Sequence, residues 1–220
     1  KLKVPRKSHA KKDPAKATAF KAELPARLTA VVGPTPTQPV RLWVLDEHRY
    51  GLLPVIRRVW GRRGVRVHAP YATRYKWGYL HEALEVDGAH ACELLLTPAI
   101  DRDIHALFLR QIAESDPTAL HVVIADQAGF HLPVGDDRIP ANLRLLPLPP
   151  YCPELNPVEK FWDIVKDTIC NKAWPTLEAL EEKITSTTEN RYLVQMFHLS
   201  ENMIYYVDAI ESNGATLFKL

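Results

Sequence analysis

Leu145–Lys166 reads LLPLPPYCPELNPVEKFWDIVK, and its two halves call for different structures. The apolar run Leu143–Leu148 predicts a short strand, broken by Pro147, Pro149, Pro150 and Pro153 into a rigid loop. Asn156-Pro157 then opens a helix, because Asn caps well and Pro is tolerated at the first helical position. Val158, Phe161, Trp162, Val165 and Ile169 follow at i, i+3, i+4, i+7 and i+11, an apolar stripe that needs a core to face. Glu159 lies on the edge of that stripe. Asn156-x-x-Glu159 is nearly a capping box, in which the carboxylate only satisfies a backbone N–H. The same carboxylate can instead project over the ends of neighbouring strands. The helix alone leaves both readings open.

Two other stretches bear on the choice. Arg41–Tyr50 holds Leu42, Trp43, Val44 and Leu45 in a row, the pattern of a central strand covered on both faces. Period-two geometry places Asp46 on the face of Leu42 and Val44, and its neighbour Glu47 on the other. Leu120–Ala125 (LHVVIA) is again continuously apolar and ends at Asp126, which shares a face with Leu120, Val122 and Ile124. Between them Asp101–Ser115 is an amphipathic helix, with Ile104, Leu107, Phe108 and Ile112 on one stripe and Asp116-Pro117 closing it. A strand–helix–strand crossover makes the two strands parallel neighbours, with Asp46 and Asp126 at one rim. Ligands gather at that rim in such sheets. Three carboxylates converging there suit Mg²⁺ or Mn²⁺, and two ions roughly 3.5–4 Å apart can clamp the oxygens of an in-line phosphoryl displacement.

The remaining elements fill in a mixed α/β domain. Asp13-Pro14 starts a helix through Ala15–Leu24 that Pro25 stops or kinks, and VGPTPTQPV (32–40) reads as an extended linker. Residues 1–40 are expected to form a basic helical arm outside the core, with the main α/β domain at 41–175 and C-terminal helices packed on it at 176–220. Leu52–Trp60 and Val65–His68 carry strand signals, as do Trp77–Val86 and Ala91–Leu96, with an Asp87-Gly88 turn between the last two. Leu177, Leu180 and Ile184 mark one late helix, and Met196–Ile210 another.

Composition narrows the function classes. No run of eighteen apolar residues exists and the basic N-terminus lacks an apolar segment after it, which argues against a membrane span or signal peptide. Cys92, Cys152 and Cys170 lack CxxC spacing, which fits a reducing cytosol and argues against zinc. The net charge of +2 hides an uneven distribution: nine Lys/Arg in residues 1–28, then Arg41, Arg49, Arg57, Arg58, Arg62, Arg63, Arg66, Arg74 and Lys76. A polyanion partner for the first half accounts for that asymmetry, as does a solvated basic face.

WVLDEHRYGL, IADQAGFH and LPPYCPELNPVEKFW resemble the three catalytic blocks of DDE transposases, specifically the bacterial insertion-sequence branch of the Tc/mariner superfamily. The resemblance covers about residues 41–175, and thirty-two residues separate Asp126 from Glu159. It implies a ribonuclease H-like fold, a five-stranded sheet flanked by helices, and Asp46, Asp126 and Glu159 as the catalytic, metal-binding triad for Mg²⁺ or Mn²⁺. It further implies double-stranded DNA (transposon ends and target) as the partner, a homodimer on that DNA, and work in the bacterial cytoplasm at the nucleoid. Arg49, Arg57 and Arg58 are expected phosphate contacts. His131, which recurs in the family block, has either a site role, grouped here with DNA binding, or a structural hydrogen bond. Gln127 and Cys152 depart from the family's usual Asn and Ser. The family's helix-turn-helix DNA-binding region would precede residue 1. Two rival functions stand beside strand transfer: a catalytically silent DNA-binding or assembly module, and a ribonuclease H-like host nuclease.

Overall fold

The computed structural model describes residues 13–86, 91–189 and 206. In chain order these form α1 (Pro14–Val32), β1 (Val40–Gly51), β2 (Trp77–Glu85), β3 (Cys92–Thr97), α2 (Arg102–Ser115), β4 (Leu120–Ala125), β5 (Leu143–Pro147), α3 (Val158–Ile169) and α4 (Leu177–Thr188). A single 3-10 turn, Pro153–Leu155, precedes α3. The sheet order is β3-β2-β1-β4-β5. β2 is antiparallel to β1 and β3, whereas β4 is parallel to β1 and β5, as the α2 crossover requires. This is the mixed ribonuclease H-like sheet.

Both faces of the central strands are covered, which is why their sequences do not alternate. On one face Leu42, Val44, Val122 and Ile124 meet Phe161, Trp162 and Val165 of α3 and Leu180 and Ile184 of α4. On the other, Trp43, Leu45, Val123 and Ala125 meet Phe108, Leu109 and Ile112 of α2. The Asp101 side chain caps α2 by accepting from the N–H groups of Asp103 and Ile104.

Two expectations need correction. Residues 14–32 are no arm outside the core: α1 continues past Pro25 without a break, and Phe20, Leu24 and Leu28 are buried in the α3-side core. A proline inside a helix costs about 3 kcal/mol. Burying three large side chains at i, i+4 and i+8 returns roughly 1.5–3 kcal/mol each, so packing wins. Nor do Leu52–Trp60 and Val65–His68 form strands. Residues 53–76 make no ladder, and the loop is closed at its base by Leu52 N–H donating to Lys76 O (2.9 Å). The Asp87-Gly88 turn, residues 1–12 and the Met196–Ile210 helix lie outside the described residues, apart from Tyr206. That residue is helical and buried, and its hydroxyl donates to Leu155 O (2.7 Å), against the turn ahead of α3.

Candidate active site

The last paired positions of the β1–β4 ladder are Val44 and Ile124, and two residues beyond each come Asp46 and Asp126. Parallel pairing in register therefore delivers both aspartates to the same rim. α3 reaches that rim because its start is tied to the middle of β1, at the residue before Asp46. Asn156 Nδ2 donates to Leu45 O (2.8 Å) while Asn156 Oδ1 accepts from Val158 N–H (3.1 Å). One side chain thus begins the helix and docks it beside Asp46. The capping-box reading of Glu159 fails, since Asn156 N–H donates to Pro153 O instead. Glu159 is exposed and joins Asp46 and Asp126 in lining one cavity of about 410 Å³. Its opposite wall is the Leu148–Pro153 loop, in which Tyr151 sits at φ 62°, a left-handed conformation costly for a bulky side chain.

The electrostatics of the three acids differ. Burial raises the Asp46 carboxyl well above its ordinary value, and the charge of Glu159 raises it further; the Trp162 indole N–H, 2.7 Å from Oδ2, opposes both. Burial also raises Glu159, with Asp126 and Asp163 adding repulsion against the relief from Lys166. Glu82 stands directly across the ladder from Asp46 and is fully buried. Burial and the Asp46 charge push it up to about 8. Four acids crowding one face with few donors make a site short of positive charge. Oxygen ligands of this kind match a hard divalent cation, so the donor set fits Mg²⁺ or Mn²⁺.

A second group of potential ligands lies on the opposite face. Glu47, His105 and His131 bring ligand atoms within 4.8 Å of one another, closer than the triad does. Hydrogen bonds already use these atoms except His105 Nε2, which is buried without a partner. His131 Nδ1 donates to Asp126 O (2.8 Å), and Nε2 lies 3.0 Å from both Glu47 oxygens. His105 Nδ1 accepts from Leu132 N–H (3.0 Å), which puts the ring proton on Nε2. Burial lowers His131, but its bonds to Asp126 and Glu47 prevail and hold it at about 10. Glu47, which burial alone would raise, is held at about 2 by His131 and His81. Here is an acid that already has its cation.

A family model described as DDE superfamily endonuclease matches residues 41–181. The chain belongs to this family. The match runs from β1 into α4 and so contains all three acids of the cavity. An uncharacterized protein of Sinorhizobium fredii (y4pE/y4sA) is 36% identical over 92 residues, covering 41% of this chain and 67% of that one. Among solved structures, the Mos1 mariner paired-end complex with Mn matches with a TM-score of 0.64 at 13% identity, over 98% of this chain and 68% of that chain. The catalytic domain of Mos1 mariner transposase matches with a TM-score of 0.56 at 13% identity, over 96% of this chain and 98% of that chain. At this identity the likeness is one of fold.

The other residues singled out in the sequence divide between exposed and internally engaged positions. Arg57, expected on phosphate, is held by Asp163 (2.7 Å) and Asp167 (2.5 Å) one turn apart on α3, and pins the 53–76 loop to that helix. His131 is buried and engaged as above, so it is not placed as a DNA contact. Arg49 is exposed, with its guanidinium over the Trp77 ring at 5.4 Å, and Arg58 is exposed. Gln127 donates to Leu148 O (2.7 Å), closing the rim between β4 and the cavity loop, while Cys152 is buried in the cavity wall. Sequence reading missed Trp162 and Glu82 as site neighbours. Trp162 lies three residues after Glu159 on one helix face, and a Glu inside the apolar run YLHEALEV needed a reason; both signals were present.

Proposed function

We propose that this domain is a metal-dependent DDE transposase of the Tc/mariner type, cleaving DNA strands and joining the freed 3′ end to target DNA. The observation that carries the reading is the meeting of Asp46, Asp126 and Glu159 on one cavity, from three elements far apart in the chain. Asp46, Asp126 and Glu159 are the residues proposed to hold Mg²⁺ or Mn²⁺. When bound, two such ions would supply Lewis acidity to the attacking and leaving oxygens of the phosphodiester. The chain's own part is placement. Trp162 fixes Asp46 Oδ2, Asn156 holds α3 against β1, and the Pro149–Pro153 loop forms a stiff wall. The solved relatives include a Mos1 transposase paired-end complex with left transposon end, which supports DNA ends as the partner here.

Exposed Arg49, Arg58, Arg62, Arg63, Arg66 and Arg74 suit sequence-independent phosphate contact, so DNA affinity should fall steeply with salt. The same loop exposes Ile56, Trp60, Tyr71 and Tyr75. Apolar surface of this extent on a 24-residue loop supports a second copy as partner, in keeping with a homodimer on DNA. No described helix is long and apolar enough to cross a membrane, and a bacterial cytoplasmic, nucleoid-associated place of work is proposed with the rest.

The test is nicking and joining of labelled DNA with Mg²⁺ by Asp46→Asn, Asp126→Asn and Glu159→Gln. Each should drop to background while its melting transition persists. Cleavage retained by any one of them removes that residue from the triad.

A further inference from the structure

Asp126 stands beyond the end of β4, its side chain 58% exposed, where no ladder fixes it. Two groups of its own loop orient the carboxylate: Ala128 N–H donates to Oδ1 (2.9 Å), and His131 Nδ1 lies 3.1 Å from the same oxygen while bonding the Asp126 carbonyl at 2.8 Å. His131 in turn is fixed on every side. Its Nε2 lies 3.0 Å from both oxygens of Glu47, its ring stacks on His105 at 4.5 Å, and Phe130 meets it edge-on at 4.7 Å. Glu47 is held within β1, where the adjacent Asp46 points to the opposite face of the sheet. Its other neighbour is His81, across the ladder, whose Nδ1 lies 3.5 Å from Oε1.

We propose that His131 and Glu47 are positioning residues: together they tie the Asp126 carboxylate to β1, the strand that carries Asp46, and so set the span across which the two aspartates share an ion. This rests on the triad reading above. The connection runs through the sheet, from Asp46 along the backbone to Glu47, across to His131 and down to Asp126. Side chains that orient a ligand without touching the ion commonly contribute ten- to a hundredfold in metal affinity. His131 and Glu47 are buried, and of the three cavity acids His131 meets Asp126 alone, so both act through that carboxylate.

The experiment titrates the protein with Mn²⁺ and follows the free ion by its paramagnetic resonance signal, a readout independent of turnover. His131→Gln and Glu47→Gln should each raise the half-saturating Mn²⁺ concentration by about tenfold or more. His121→Asn is the control: it breaks the Trp43–His121 bond (3.0 Å) at the far end of β4, lowers stability, and should leave Mn²⁺ binding unchanged. Glu47→Gln keeps the volume of the buried side chain and gives the reading where His131→Gln fails to fold. Wild-type affinity retained in both variants, with normal wild-type binding, overturns this inference alone. Wild-type protein that leaves all the Mn²⁺ free overturns the triad and this inference with it.

Discussion

Asp46 and Glu47 are neighbours on one strand, both drawn out of water, and their chemistry is opposite. Asp46 turns toward α3, where it finds one N–H donor and the like charge of Glu159, and its carboxyl is pushed well up. Glu47 turns toward α2, where two imidazoles outweigh the same desolvation and hold it at about 2. Burial disfavours the charged form in both places, so the partner decides the outcome. The α2 face supplies its own positive charge from His131. The α3 face gathers Asp46, Glu82 and Glu159 and supplies almost none, and the cation proposed there would answer that deficit.

Several substitutions can break this contrast. The largest effect is expected from Glu47→Ala, which strips the carboxylate from a buried pair with His131 and should cost about 3–5 kcal/mol in urea unfolding. Asp46→Asn should do the reverse. A carboxyl whose folded pKa is raised lends stability below its unfolded value of 3.8 and loses it as pH rises through the folded pKa. Removing it should stabilise the metal-free protein at pH 7, read as a higher urea midpoint than the wild type's. Opposite signs from adjacent residues would be hard to obtain from burial alone.

The pH profile of stability sharpens the same point. Glu47, depressed from 4.5 to about 2, contributes fully above pH 4.5 and loses its contribution as pH falls toward 2. His131, raised from 6.5 to about 10, contributes fully below pH 6.5 and loses it as pH rises toward 10. The pair should therefore be worth most between those limits, and His131→Gln should flatten the alkaline slope of the urea midpoint. Arg57→Ala should have the smallest effect, under about 1 kcal/mol, because its partners Asp163 and Asp167 are exposed. Its readout is faster proteolysis of the 53–76 loop that Arg57 pins to α3.

The rim was legible because it depends on patterns that stay local. Two continuously apolar runs each ended in Asp, an amphipathic helix stood between them, and a capped helix opened on Glu159. The face of each residue follows from the pleat, which sends Asp46 and Glu47 to opposite sides of the sheet. What stayed hidden depends on distance along the chain. Pro25 masks a helix that only tertiary burial of Phe20, Leu24 and Leu28 sustains. The 53–76 loop carries Val and Ile like a strand, yet is held by Arg57 and by Asn171, whose N–H donates to Val55 O (2.8 Å). The His131–Glu47 pair joins residues 84 apart, and nothing in either neighbourhood announces the other.

Crystals soaked in Mn²⁺ and measured for anomalous scattering put the two faces in direct competition. Density is expected between the carboxylates of Asp46 and Asp126, on the α3 side of the sheet. Density seated instead among Glu47, His105 and His131, with none at the aspartates, would contradict the proposed triad.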